Sequence, residues 1–400
     1  MRICLYFQVH QPYRLQEYNF FQIGREHFYE NEPLNKHILQ KIAQNCYLKM
    51  NEHLLGLIKK YPDKFHLAFS LSGTAIEQFE NYCPEVLESF QKLSQTGNVE
   101  FLSETYHHSL AFLYSRDEFE YQVNLHKNKI EKLFNYTPLT FRNTELIYDN
   151  DLAQKAEEMG YKVIITEAVD RILKKRHSFH LYSAPFTSKI KILLRDYELS
   201  DDISFRFSDP NWKEYPITPK SYTQKIKRKE EKGAECINIF MDYETFGEHQ
   251  NQSTGIFDFF NQFVENAIEK EGWTFASPSQ VSNELSAKDE YAVSDYISWA
   301  DTERDLSAWL SNSMQYEALH KIYHLRNQVM SVDSHELTSV WRKLQSSDHF
   351  YYMCTKYWSD GDVHKYFSPY NSPYDAYIYY MNILSDFELL LKKAYKTKNI

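Results

Sequence analysis

The sequence predicts an α/β protein, a (β/α)7 barrel followed by an all-helical C-terminal region. Three observations lead there. Short apolar runs alternate seven times with helical or irregular connections between Ile3 and Met241, which is the pattern of parallel βαβ units closing into a barrel. Polar residues stand at the ends of those runs, where barrel enzymes keep their chemistry. From about Tyr296 onward no strand-like run recurs, and helical spacing of apolar residues takes over.

The elements follow in order. Ile3 to Val9 is an apolar strand ending in His10-Gln11-Pro12, and Pro12 stops it. Ile38, Ile42, Leu54, Leu55 and Ile58 then keep helical spacing. Phe65 to Leu71 is the second strand, closed by Ser72-Gly73. A helix carrying Ile76, Phe79, Val86, Leu87 and Phe90 leads to the turn signal Gly97-Asn98. Val99 to Leu102 is the third strand and runs into the polar group Ser103 to His108. Phe119 to Phe134 is a charged amphipathic helix. Leu139 to Glu145, Tyr161 to Thr166, Ile190 to Leu194 and Cys236 to Met241 complete the seven strands. Gly160 closes the helix before the fifth, and the basic stretch Lys225 to Lys232 reads as a solvated helix face. After Gly255 to Ala267, a helix, the polar hinge Asn283 to Ser294 leads to helical segments at Asp301 to Leu325, Leu337 to Leu344, Phe350 to Lys356 and Pro373 to Ala394. Residues 1–285 are expected to form the catalytic barrel. Residues 286–400 are expected to form a helical domain that completes the active-site cleft.

Bulk properties narrow the function classes. The net charge of −10, from 45 basic and 55 acidic residues, disfavours nucleic acid and anionic membranes as partners. No run approaches the roughly 20 apolar residues of a membrane span, and the N-terminus lacks the features of a signal peptide. The five cysteines are scattered with no C-x-x-C, so they read as reduced thiols of a cytoplasmic protein. Aromatic residues make up 16% of the chain, an excess that fits either a Tyr-rich core or stacking platforms for sugar rings.

The chemistry concentrates in two stretches. Phe141 to Tyr148 places Arg142-Asn143-Thr144-Glu145 between apolar residues, and Asp242 ends the seventh strand, followed by Tyr243 to Gly247. Two carboxylates at two buried strand ends suit nucleophilic and general acid work on a glycoside. His10, Glu104 and Glu167 fall at matching strand ends. In a purely structural reading Glu145 pairs with Arg142, Asp242 caps its strand and His10 is a core histidine. Glu244, two residues beyond Asp242, reads equally as its partner or as a solvated group. His107-His108 and His249 are further polar candidates, and Trp212, Trp299 and Trp309 are candidate platforms or core residues.

Five stretches in order resemble the motifs of glycoside hydrolase family 57, the α-amylase and α-glucan-modifying group. They are Val9-His10-Gln11-Pro12, Gly97-Asn98-Val99-Glu100, Arg142-Asn143-Thr144-Glu145, Asp242-Tyr243-Glu244-Thr245-Phe246-Gly247 and Gln345-Ser346-Ser347-Asp348. One departure is Gln8, where several members carry histidine. The resemblance implies a retaining mechanism with Glu145 as nucleophile and Asp242 as acid/base. It implies sugar contacts from His10, Glu100 and Asp348, and no metal or other cofactor. Arg142 and Trp309 are added here as candidate substrate contacts. The expected substrate is an α-1,4-glucan such as starch, glycogen or a maltooligosaccharide. Alternatives are a 4-α-glucanotransferase or branching enzyme on the same substrates, a non-catalytic glucan-binding protein, and a metal-dependent polysaccharide deacetylase. The last needs two histidines and an aspartate converging on one metal.

Overall fold

The computed structural model describes residues 1–357 and 363–398. Seven parallel strands form the barrel: β1 (Arg2–Val9), β2 (Leu67–Leu71), β3 (Val99–Phe101), β4 (Thr140–Phe141), β5 (Val163–Glu167), β6 (Lys191–Arg195) and β7 (Cys236–Asp242). They neighbour one another in chain order. β1 pairs with both β2 and β7, β2 with β3, β4 with β5 and β5 with β6. The ring closes through a Ser103–Phe141 bridge between β3 and β4, and through the Asp196 amide donating to the Asn238 carbonyl at 2.8 Å between β6 and β7. All seven strands expected from the apolar runs are present. A two-residue strand, Tyr182–Ser183, adds antiparallel to β6; it is too short for periodicity to reveal.

Alternation along the strands sorts side chains between two environments. On β1, Ile3, Leu5 and Phe7 join the core between barrel and helices, whereas Cys4 and Tyr6 fill the lumen beside Ala68, Leu102, Val163, Ile165, Leu193 and Phe240. The same parity sends Gln8 and Asp242 inward at the lumen's C-terminal mouth, in register with each other. The alternation that packs the barrel therefore also delivers the reactive groups.

Two glycines hold connections that no other residue could. Gly247 has φ +102°, and a Cβ there would lie 2.0 Å from the Asn45 carbonyl oxygen. A Cβ on Gly73 would strike the Tyr106 ring at 2.4 Å.

From Ser313 onward helices dominate, with Ser313–His324, Arg326–Val332, His335–Lys343, Ser347–Tyr351 and Pro373–Lys398 as the main ones. These helices share a core with the barrel. Phe141, Ile164, Ile192 and Leu194 pack in one cluster with Trp309, Ile322, Trp341, Phe350 and Ile383. Two helical expectations shift. The stretch from Asp301 to Asn312 is irregular, with left-handed backbone at Asp301 (φ 55°) and Arg304 (φ 49°), and the helix begins only where the Asn312 side chain caps it. The helix expected over Phe350 to Lys356 instead spans Ser347–Tyr351.

Candidate active site

The mouth of the barrel opens into a cleft of about 850 Å³ between the strand ends and the C-terminal helices. Glu145, Asp242, His10, Asp348, Gln8, Glu244, Trp299 and His249 all line it.

Glu145 sits in a short 3-10 turn after β4. Its backbone is left-handed (φ 58°), as are those of Leu146 (φ 51°) and His108 (φ 52°). Non-glycine residues avoid this region at a cost of roughly 1–3 kcal/mol each, and they gather where function fixes a side chain. Both carboxylate oxygens of Glu145 accept hydrogen bonds. Trp299 Nε1 donates to Oε2 at 2.8 Å. Ser347 Oγ donates to Oε1 at 3.2 Å, and His108 Nε2 lies 3.1 Å from Oε1. Burial pushes the Glu145 pKa up, but the His108 contact, its positive charge and the nearby Arg142 outweigh that and hold it below the usual carboxylate value.

His108 is itself held from behind. Its Nδ1 is 3.0 Å from Glu104 Oε2, which also accepts from Arg142 Nη1 at 3.3 Å. Burial lowers the His108 pKa, but its two carboxylate partners raise it to about 9. Burial likewise raises Glu104, but His108 and Arg142 draw it down to about 2. The series Arg142–Glu104–His108–Glu145 thus runs as alternating charges from the barrel wall to the cleft.

Asp242 is placed differently. Its carboxyl has no hydrogen-bond partner among the described residues, and it faces the same cleft. Burial first, and the Glu145 charge second, raise its pKa to about 6, against the opposing pull of Arg142, Arg195 and His108. Glu244, beyond it, accepts from Gln11 Nε2 at 3.4 Å and from the Tyr47 hydroxyl. Burial and the Asp242 charge raise Glu244 to about 8.

The C-terminal helices contribute Asp348. Its Oδ2 is 2.8 Å from His10 Nε2 and accepts from Ser346 Oγ at 2.7 Å. Burial raises the Asp348 pKa, yet His10 and His108 hold it well below the usual range. His10 Nδ1 meets Ser72 Oγ at 2.7 Å, and its ring stacks on His108 with centroids 3.8 Å apart. Gln8, at the position of the family histidine, accepts from Arg142 Nη2.

Three candidate substrate contacts lie elsewhere. Glu100 is a correction: it faces the lumen one layer below the mouth, in register with Ala68, the partner of Tyr6. Its carboxylate is occupied by the Thr140 hydroxyl and by the Ser279 amide at 2.9 Å, at the start of the helix Pro278–Glu284. Arg142 is fully buried behind the site and binds Glu104 and Gln8, so it orients groups without reaching the cleft. Trp309 belongs to the shared core against Tyr351, whereas Trp299 reaches the cleft. Glu167 is buried on Arg195, its Oε2 accepting from Nη1 at 2.9 Å. His107 is buried beneath the site, where burial drives its pKa down to about 3. His108, which the sequence offers only as one of several further polar candidates, has no signal in the chain for its place in the site: its contacts depend on three groups separated by up to 41 positions along the sequence, Glu104, Arg142 and Glu145.

A lumen-mouth pair of carboxyls on a (β/α)7 barrel, one ionised and one biased toward its acid, defines a glycoside hydrolase class of site. Residues 4–294 match the family model described as Glycosyl hydrolase family 57. Over 98% of its length the chain is 40% identical to a Methanocaldococcus jannaschii protein described as "Putative alpha-amylase", 85% of which is covered. Two solved structures share the fold at 14% identity. The α-amylase AmyC from Thermotoga maritima has a TM-score of 0.66, with 99% of this chain and 95% of that one covered. A GH57-type branching enzyme from Pyrococcus horikoshii has a TM-score of 0.67, with 88% and 85% covered. The chain belongs to glycosyl hydrolase family 57 and is a glycoside hydrolase.

Proposed function

We propose that the protein is a retaining hydrolase of α-1,4-glucans, working in the cytoplasm, with Glu145 as nucleophile and Asp242 as acid and then base. One observation carries the reading: two carboxyls face one cleft with opposite protonation tendencies, Glu145 held ionised and Asp242 pushed toward its acid form. Retaining glycosidases need that division of labour. Ionised Glu145 attacks the anomeric carbon while Asp242 donates its proton to the departing glycosidic oxygen. Asp242, now ionised, then takes a proton from the water that releases the sugar. Trp299, Ser347 and His108 fix the nucleophile's two oxygens, and Asp348 with His10 offers a fixed acceptor for sugar hydroxyls. The substrate class is supported by the name of the Methanocaldococcus jannaschii relative, and the five buried free thiols suit a reducing compartment.

Maltoheptaose tests the reading. Incubation should produce shorter maltooligosaccharides alone. Longer products would move the assignment to glucan transfer, and unchanged maltoheptaose would overturn it.

A further inference from the structure

Trp299 holds Glu145 Oε2, yet residues 298–304, which present it, form neither helix nor strand. Asp301 and Arg304 in this loop are left-handed. The loop is gripped by side chains from distant segments. Arg171 Nη1 donates to the Glu303 carbonyl at 2.9 Å and Nη2 to the Arg304 carbonyl at 3.2 Å. His364 Nε2 lies 3.0 and 3.2 Å from the two carboxylate oxygens of Asp301. Lys356 Nζ stands 3.5 Å from Asp301 Oδ2 and 3.2 Å from Glu303 Oε2.

Of these, His364 also touches the helix that covers the site. It lies on the short helix Val363–Phe367 and is fully buried. Its ring stacks on Tyr351, with centroids 4.2 Å apart and planes 12° from parallel. Tyr351 ends the helix Ser347–Tyr351, whose Ser347 hydroxyl binds Glu145 Oε1. His364 therefore joins the helix that binds one oxygen of Glu145 to the loop that binds the other. Burial lowers its pKa, but its Asp301 and Cys354 contacts raise it to about 9, so at neutral pH it is charged opposite Asp301. A buried pair of this kind adds little stability, because desolvation offsets much of the attraction; what it can fix is geometry.

We infer that His364 is a positioning residue for Glu145: paired with Asp301 and stacked on Tyr351, it seats the Trp299 loop so that the indole N–H meets the nucleophile. This role rests on the assignment of Glu145 as nucleophile made above. A reacting group displaced by about 1 Å can lose on the order of a hundredfold in rate, so a loop that shifts by that much costs turnover while sugar binding survives.

Kinetics on maltoheptaose and one measurement without turnover test this. His364→Leu should lower kcat by roughly tenfold or more and leave KM within about threefold. His364→Gln, whose amide can still donate to Asp301, should recover at least about threefold of that loss. Trp299→Phe should also lower kcat, and adding His364→Leu to it should cost no more than about threefold further, because both remove the same contact. An unchanged His364→Leu, a loss confined to KM, a Gln variant no better than Leu, or losses that multiply in the double variant would each overturn the inference and leave the hydrolase reading standing. The chain has six tryptophans. In 15N-labelled protein the Trp299 indole N–H is the resonance missing from Trp299→Phe. Its hydrogen exchange should be about tenfold faster in His364→Leu, with the other five unchanged. Unchanged exchange at Trp299, or faster exchange at all six, would overturn the inference. If the parent leaves maltoheptaose uncut, the proposed function falls, and the exchange rate by itself decides whether His364 seats the Trp299 loop.

Discussion

At the residue scale the two carboxyls differ in what surrounds them, and each difference has a measurable consequence. On the proposed roles, replacing Glu145 with Ala opens the nucleophile's face, so azide should convert an activated α-glycoside to the β-azide. Asp242→Ala should instead form the glycosyl-enzyme from the same substrate and release it to azide as the α-anomer. Identical anomers from the two variants would refute the roles. The pH profile follows from the same groups. On the proposed roles Glu145 must be ionised, and its pKa sits below the ordinary value, while Asp242 must be protonated, and its pKa is raised to about 6. The kcat/KM profile should therefore fall as pH rises through about 6 and hold on the acid side until Glu145 protonates. His108→Gln removes a positive partner of Glu145, so the acid limb should move to higher pH. Stability carries the opposite imprint. The folded-state pKa of Asp242 exceeds its unfolded value, so its contribution is complete below the unfolded value and is lost as pH rises through about 6. Asp242→Asn should accordingly be more stable than the parent above pH ~7, by about 1–3 kcal/mol, and no more stable near pH ~4. Thermal unfolding at the two pH values checks this.

At the element scale, strand alternation and two tight connections place the chemistry. The strands were legible because each is an apolar run bounded by polar or turn residues, and the end of β7 pointed straight to Asp242. Alternation was harder to use, because Glu100 and Glu104 share a parity four residues apart on β3 and its extension. Only the register, with Glu100 opposite Ala68, shows which of the two lies below the mouth. Gly247 is the firmest case of a motif residue with a mechanical reason. Its φ of +102° and the 2.0 Å approach of Asn45 to any Cβ leave no room for alanine. Gly247→Ala should destabilise the protein by more than about 1 kcal/mol. It should also lower kcat by displacing the Asp242–Glu244 turn. Denaturant unfolding and initial rates on maltoheptaose check both, and a neutral variant would show that the turn tolerates the shift.

At the scale of the whole molecule, barrel and helices are bound by one apolar cluster and one site. Phe141 and Leu194 of the barrel pack with Trp341 and Ile383 of the helices, and Ser347 and Asp348 complete the cleft from above. Deleting the residues after Asn283 should abolish activity and leave an aggregation-prone barrel, because that cluster would be bared to water. Full activity in the truncated chain, with a monodisperse elution profile, would contradict this. By itself the sequence determined the α/β class, the seven strands and the helical continuation, and it singled out Glu145 and Asp242, which the fold brings to one cleft. Those follow from periodicity and from ordered motifs, which are local properties of the chain. Only the tertiary structure decided that His108 and not Arg142 touches Glu145, that Trp299 and not Trp309 faces the cleft, and that Glu100 lies beneath it. Each of those depends on which groups from distant segments meet and on which side chains the core claims first. Pairwise contact and burial arise only when the barrel closes and the helices dock across its mouth.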